Sequence, residues 1–134
     1  MSISKEKKGT ILAKLKEIVV NSETLVFVGF TGLPVAETTM MRKALRERGV
    51  GYFVAKKTLI ARVLDDSAYR GVRPPLEREV AIAYGADAIA PAQSIREFER
   101  QHKERIRIMG GMFAREYKTK EEMTEIASLP TLAI

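Results

Sequence analysis

The sequence contains no cysteine and a single histidine, His102. Without cysteine there is no disulfide, no thiolate nucleophile and no cysteine-ligated zinc or iron–sulfur centre. One histidine leaves no His–His metal pair within a chain and removes most histidine-based site designs. No run of ~20 apolar residues is present, so no helix is expected to span a membrane. The segment from Met1 to Lys8 is polar and has no apolar signal core behind it, which gives a cytoplasmic expectation. Neither glycine-rich nucleotide pattern occurs, G-x-x-x-x-G-K or G-x-G-x-x-G after a strand. No cofactor is expected.

What is there is a chain of 134 residues, 46% hydrophobic and 30% charged. That length and balance describe one folded domain with a real core rather than a disordered segment. Lysine and arginine total 23 against 17 acidic residues, a net charge of +6. The excess is local. Residues 42–62 hold Arg42, Lys43, Arg46, Arg48, Lys56, Lys57 and Arg62 against Glu47 alone. That window carries as much net positive charge as the whole chain. Concentrated cationic charge repels itself and is a footprint for a polyanion, the bland alternative being a solvated face on a basic protein.

Hydrophobic periodicity predicts the elements. Ile11, Leu12, Leu15, Ile18 and Val19 repeat at helical spacing, with Ser4 as the expected cap and Asn21-Ser22 as the end. The run 24–30 is nearly continuous and apolar, a strand buried on both faces. Thr31-Gly32-Leu33-Pro34 is a turn into a helix from about Val35 to Arg48, closed by Gly49. A strand at 51–55 leads into a short helix with Leu59, Ile60, Val63 and Leu64 inward, where Thr58 is an expected cap. Residues 65–79 read as a long loop on one edge. A third strand follows at 80–84, then a helix opening between Asp87 and Pro91. The alternation of Arg105-Ile106-Arg107-Ile108-Met109 predicts a half-exposed strand. Gly110-Gly111 reads as a turn or bulge before a strand at 112–114. Thr119-Lys120-Glu121-Glu122 is a capping-box pattern for a last helix, stopped by Pro130. The expected class is α+β, two layers, with a mixed sheet of about four to five strands packed with helices. The order is α-β-α-β-α-loop-β-α-β-β-α.

Candidate sites follow from this frame. Lys56-Lys57-Thr58 opens a helix, whose first-turn N–H groups and partial positive charge suit a phosphate. Arg62 falls one turn later on the side of Thr58. Arg42 and Arg46 are spaced i, i+4, so they point the same way, with Lys43 beside them. Gly32 lies in the turn that ends a buried strand, where open α/β sheets place ligands. Tyr52 or Phe53 offers one base-stacking ring beside the lysines, the other being committed to the core. No nucleophile–base pair, carboxylate pair or metal cluster emerges, so no enzyme is expected.

Several of these residues, with their spacing, resemble one family. The run Gly32-Leu33-Pro34-Val35, then Met40-Met41-Arg42, Leu45-Arg46, Gly49-Val50, Val54, Lys56-Lys57-Thr58-Leu59 and Arg62 is similar to large-subunit ribosomal protein ten. This is the bacterial stalk-base family, whose eukaryotic relative is P-zero. The 81–84 strand, Phe98 and His102, Gly110-Gly111 with Phe113, and Ala127-Ser128-Leu129-Pro130-Thr131 continue the resemblance in order. The chain departs from the pattern at Thr31, at Lys57 and at 78–80. The resemblance implies a single globular domain, residues 1–130, that binds large-subunit (23S) ribosomal RNA at the base of the ribosomal stalk, near large-subunit protein eleven. It implies that residues 131–134 start a C-terminal stalk helix, absent from the given chain, which carries the seven/twelve stalk dimers that recruit translation GTPases. The RNA contacts it implies are Lys56, Thr58 and Arg62, then Arg42 and Arg46, with Lys57, Lys43 and Gly32 added from the residues themselves. The alternative reading is a basic protein-interaction scaffold not specific for RNA. A second rival is a small enzyme using phosphate at the Lys56-Lys57-Thr58 helix start.

Overall fold

A computed structural model describes residues 5–76, 79–85, 87–102 and 104–129. The expected Ser4 cap, the 77–78 edge and everything from Pro130 onward, including the expected start of a stalk helix at 131–134, lie outside these residues. The elements run α1 (Lys5–Asn21), β1 (Thr24–Phe30), α2 (Val35–Glu47), β2 (Gly51–Lys56), α3 (Lys57–Asp65), β3 (Glu79–Gly85), α4 (Ala90–Gln101), β4 (Ile106–Phe113), β5 (Glu116–Lys118) and α5 (Lys120–Ala127). Order and class are as expected, α+β with five strands.

Two details of the architecture differ from expectation. The sheet, ordered β2-β3-β1-β4-β5, is antiparallel throughout rather than mixed. Helices cover both of its faces, giving three layers rather than two. Val26, Val28, Ala81, Ala83, Ile106 and Ile108 meet Met41 and Leu45 of α2, Ile95 and Phe98 of α4, and Met123 and Ile126 of α5. On the other face Leu25, Phe27, Val80 and Ile82 meet Leu15 and Ile18 of α1 and Leu59, Ile60, Val63 and Leu64 of α3. Alternate residues of β1 point to opposite faces and all are apolar from Leu25 to Val28, so each face needs its own cover.

With α3 set aside as an insertion between β2 and β3, the central part, β1-α2-β2-β3-α4-β4 with strand order 2-3-1-4, is a split β-α-β arrangement. Its consequence is positional. β1 and β2 run parallel with β3 between them, so both finish at the same end of the sheet. The antiparallel β3 and β4 begin there. Lys56 pairs with Glu79, Val28 with Ala81 and Phe30 with Ile106. Phe30 and Lys56 therefore stand level, two strand spacings or about 10 Å apart.

The glycine pair is a bulge within β4, not a turn between two strands. Phe27 pairs with Gly110 and Val28 with Ile108, so Met109 is the extra residue. A Cβ on Gly111 would sit 2.3 Å from the Leu25 carbonyl oxygen, and one on Gly110 would sit 2.6 Å from the Pro74 ring. Close backbone approach, not turning, is what requires glycine there. The turn comes later, at Ala114-Arg115, with φ of 53° and 64°. It delivers β5, so the fifth strand lies at 116–118 rather than at the expected 112–114, which is the end of β4. The 66–76 loop covers that edge, where the Arg70 N–H donates to the Arg115 carbonyl and the Tyr117 N–H donates to the Arg70 carbonyl. The last helix opens on the expected capping box between Thr119 and Glu122.

Candidate nucleic-acid interface

Lys56 is the final residue of β2 and the N-cap of α3, with extended backbone (φ −70°, ψ 144°) and no side-chain capping bond. Thr58 is therefore inside the first turn, not at the cap as expected. The first N–H groups of α3 keep no side-chain cap, in contrast with α5. Lys56, Lys57, Thr58 and Arg62 are not buried, while Leu59, Ile60, Val63 and Leu64 anchor the helix beneath them. Lys57 and Thr58 line a shallow groove of about 380 Å³ against Arg73, Pro74 and Pro75. Arg73 is held by Asp65 and by the Ala61 carbonyl.

Gly32 stands at the same end of the sheet. Its φ of +62° requires glycine, and nothing lies within 4 Å of where a Cβ would be. The turn is exposed and is fixed by a hydrogen bond from the Thr31 N–H to the Arg105 carbonyl, 2.8 Å. It feeds α2, whose Glu37 faces His102 of the α4 end, Oε2 to Nδ1 3.7 Å. That oxygen is buried and accepts no hydrogen bond among the described residues.

The α2 cations divide. Arg42 lies over the ring of Tyr52 on the edge strand β2, 5.3 Å to its centre, a cation–π contact. Arg46, one turn on, shares that side. Burial pushes the Tyr52 hydroxyl up to about 12, opposed by the charge of Arg42. Tyr52 and Phe53 are both half-buried, one toward each core. The Tyr52 ring is occupied by Arg42, so the free stacking ring expected from sequence is not there. Lys43 is exposed on the outer side of α2. Arg48 leaves the cationic set altogether. It holds Glu97 through two hydrogen bonds of 2.7 and 3.2 Å, which lower the Glu97 pKa and raise its own.

The arrangement is thus two groups. Gly32 and the Lys56, Lys57, Thr58 and Arg62 set share the end where β1 and β2 finish. Arg42 and Arg46 run along the β2 edge. Sequence reasoning missed Arg105, because only the strand pairing brings residue 105 against residue 31. Among the described residues no group of three or more metal-ligating side chains occurs, and no helix is long and apolar enough to cross a membrane.

A family model described as ribosomal protein L10 matches residues 3–100. The chain belongs to the ribosomal protein L10 family. The large ribosomal subunit protein uL10 of Clostridium acetobutylicum is 37% identical over 120 residues, covering 89% of this chain and 71% of that protein. That of Shouchella clausii is 36% identical over 132 residues, covering 98% and 79%. That of Dehalococcoides mccartyi is 32% identical over 126 residues, covering 93% and 72%. As an L10-family member the chain is a protein of the large ribosomal subunit, in the cytoplasm, and not an enzyme. The match spans the 42–62 window and with it the basic cluster.

Proposed function

We propose that this L10-family domain binds folded large-subunit ribosomal RNA through the sheet end formed by Gly32, Lys56, Lys57 and Thr58, with Arg62 beside it and Arg42 and Arg46 along the β2 edge. One observation carries the reading. Cations surround an uncapped helix start, level with a glycine turn that leaves open space. Folded RNA is recognised by shape, phosphates and 2′-hydroxyls rather than by a base pocket. Lysine ammonium groups neutralise phosphates, the α3 N–H groups supply directed bonds, and Gly32 allows close approach of a sugar–phosphate chain.

The family membership supports the wider setting. In this reading the RNA is the stalk base of 23S RNA, large-subunit protein eleven is the neighbour, and a helix C-terminal to this domain carries the seven/twelve stalk dimers that recruit translation GTPases.

The test is fluorescence anisotropy of the protein with a folded RNA copying the stalk base, beside a scrambled RNA of equal length, across several salt concentrations. The native fold binds more tightly. Lys56→Ala with Lys57→Ala reduces the slope of log K against log [salt] by about 1.4–1.8, at roughly 0.7–0.9 per lost phosphate contact. Equal affinity for both RNAs refutes the reading and favours a generic basic surface.

A further inference from the structure

The proposed RNA surface meets a second set of cations on the far side of Gly32. Phe30 pairs with Ile106, so the start of β4 is one strand spacing beyond β1 at the same end. The bond from the Thr31 N–H to the Arg105 carbonyl ties the glycine turn to the α4–β4 connection. Arg105 is exposed there. Arg100, in the last turn of the preceding α4, is exposed as well. Neither has a carboxylate within ion-pair distance among the described residues.

The carboxylates nearby are largely engaged. Glu99 accepts from Arg96 at 2.5 Å and from the Ile108 N–H at 2.9 Å. Glu37 faces His102. Glu104 is the exposed acid of this end, and its carbonyl accepts from Arg107. A groove of about 710 Å³ runs from here between α4 and the start of α5, lined by Arg96, Arg100, Arg107 and Lys120 against Glu99 and Glu104. Arg96 and Glu99 cancel as a pair, which leaves Arg100 and Lys120 against Glu104. The field of the groove is positive.

We propose that the RNA-binding surface continues across the sheet end from Gly32 onto the α4–β4 connection, where Arg105 and Arg100 contact a second stretch of phosphates. This rests on the RNA-binding reading above. From Lys56 to the start of β4 is three strand spacings, about 15 Å. A single helix start cannot cover that span, whereas two cationic groups on either side of a glycine turn grip a folded RNA at two separated backbone segments. Their spacing is fixed by the sheet, and rigid spacing gives preference for one RNA shape over others.

The experiment measures salt slopes for four proteins on the folded stalk-base RNA. They are wild type, Lys56→Ala with Lys57→Ala, Arg100→Gln with Arg105→Gln, and Arg115→Gln. Arg115 lies in the β4–β5 turn at the opposite end of the sheet and serves as the charge control. Thermal melts verify that each is folded. The arginine pair is expected to lower the slope by about 1.4–1.8, Arg115→Gln to leave it unchanged, and the two pairs to add when combined. A reduced slope for the lysine pair with none for the arginine pair overturns this extension and leaves the RNA-binding reading intact. An equal loss from Arg115→Gln overturns it as generic charge. No preference for folded over scrambled RNA in the wild type overturns the parent reading and the extension together. If the arginine variants keep the wild-type RNA slope but lose binding to an acidic protein, the extension is overturned and the groove is assigned to a protein.

Discussion

The Glu99 side chain supports the strand that brings Arg105 to Gly32. β5 pairs only with residues 111–113 of β4, so the first half of β4 has no strand on its outer side. Ile108 is fully buried there, and its outward N–H finds its partner in Glu99 Oε2 at 2.9 Å. The other carboxylate oxygen accepts from Arg96. Glu99→Ala leaves the Ile108 N–H unsatisfied in a buried position, which costs about 1–3 kcal/mol. The lost Arg96 pair adds ~0–1 kcal/mol, since that guanidinium is a third exposed and turns to water. The expected total is about 1–4 kcal/mol. Glu99→Gln keeps an acceptor oxygen for the N–H and loses the charge assistance, so it costs about half as much. Urea unfolding at neutral pH reads both, as a lower midpoint with an unchanged slope. If Glu99→Ala stays within ~0.5 kcal/mol of wild type, the edge N–H has another partner and the bracing role is wrong.

Three further outcomes follow from backbone and capping geometry. Ala114 and Arg115 both hold positive φ in a two-residue hairpin turn. The double variant Ala114→Asn, Arg115→Gly writes the Asn-Gly dipeptide favoured by such turns and raises stability by ~1 kcal/mol, read as a higher melting temperature; a lower one contradicts the strain. Gly111→Ala places a Cβ 2.3 Å from the Leu25 carbonyl oxygen and 2.9 Å from Met123 Sδ. It costs about 3 kcal/mol or more, and a near-neutral denaturation curve counts against the bulge packing. Asp87 accepts from the Ile89 and Ala90 N–H groups, 2.8 Å each, and these bonds lower its pKa. A carboxyl lowered in the folded state contributes stability that is present above its unfolded value of about 3.9 and lost as pH falls through the folded one. Asp87→Ala is therefore ~1 kcal/mol less stable at pH 7, and its difference from wild type narrows in acid. A constant gap down to about pH 2 excludes the capping role.

Much of the fold was legible because burial writes itself as a period. Leu15 and Ile18 on α1, and Leu59, Ile60, Val63 and Leu64 on α3, sit where helical spacing put them. The β1 run is buried on both faces, as an unbroken apolar strand requires. That same run already implied helices on both sides, so three layers were derivable. Strand direction was not, since periodicity says which face a residue takes and nothing about which strand lies beside it. The Gly110-Gly111 pair admits turn and bulge from sequence, and proves to be the bulge, because glycine serves turning and close approach alike. Only the Leu25 carbonyl, far away in sequence, distinguishes the two.

The site shows the same division more sharply. The charge window named Lys56, Lys57 and Arg62 correctly as solvent-facing cations, and local sequence put them on one helix start. It also counted Arg48, which Glu97 neutralises from α4, 49 residues on. A charge count along the chain sees no partner at that distance. Arg105 is the opposite case, a cation in the segment 76–134, which has 9 basic against 10 acidic side chains, that the sheet brings to Gly32 through one backbone hydrogen bond. Net charge in a window therefore misjudges the surface in both directions. What decides the field at the sheet end is which cations keep no carboxylate once the strands pair, and that is a property of the β2-β3-β1-β4 order. Exchanging the charges of Arg48 and Glu97 together keeps both the ion pair and the net charge. Measured by the same anisotropy titration, that double exchange is expected to leave RNA affinity unaltered, although it removes a cation from the window that first drew attention. A clear loss of affinity would mean that Arg48 reaches RNA despite its partner, and that pairing with a carboxylate does not decide which cations bind.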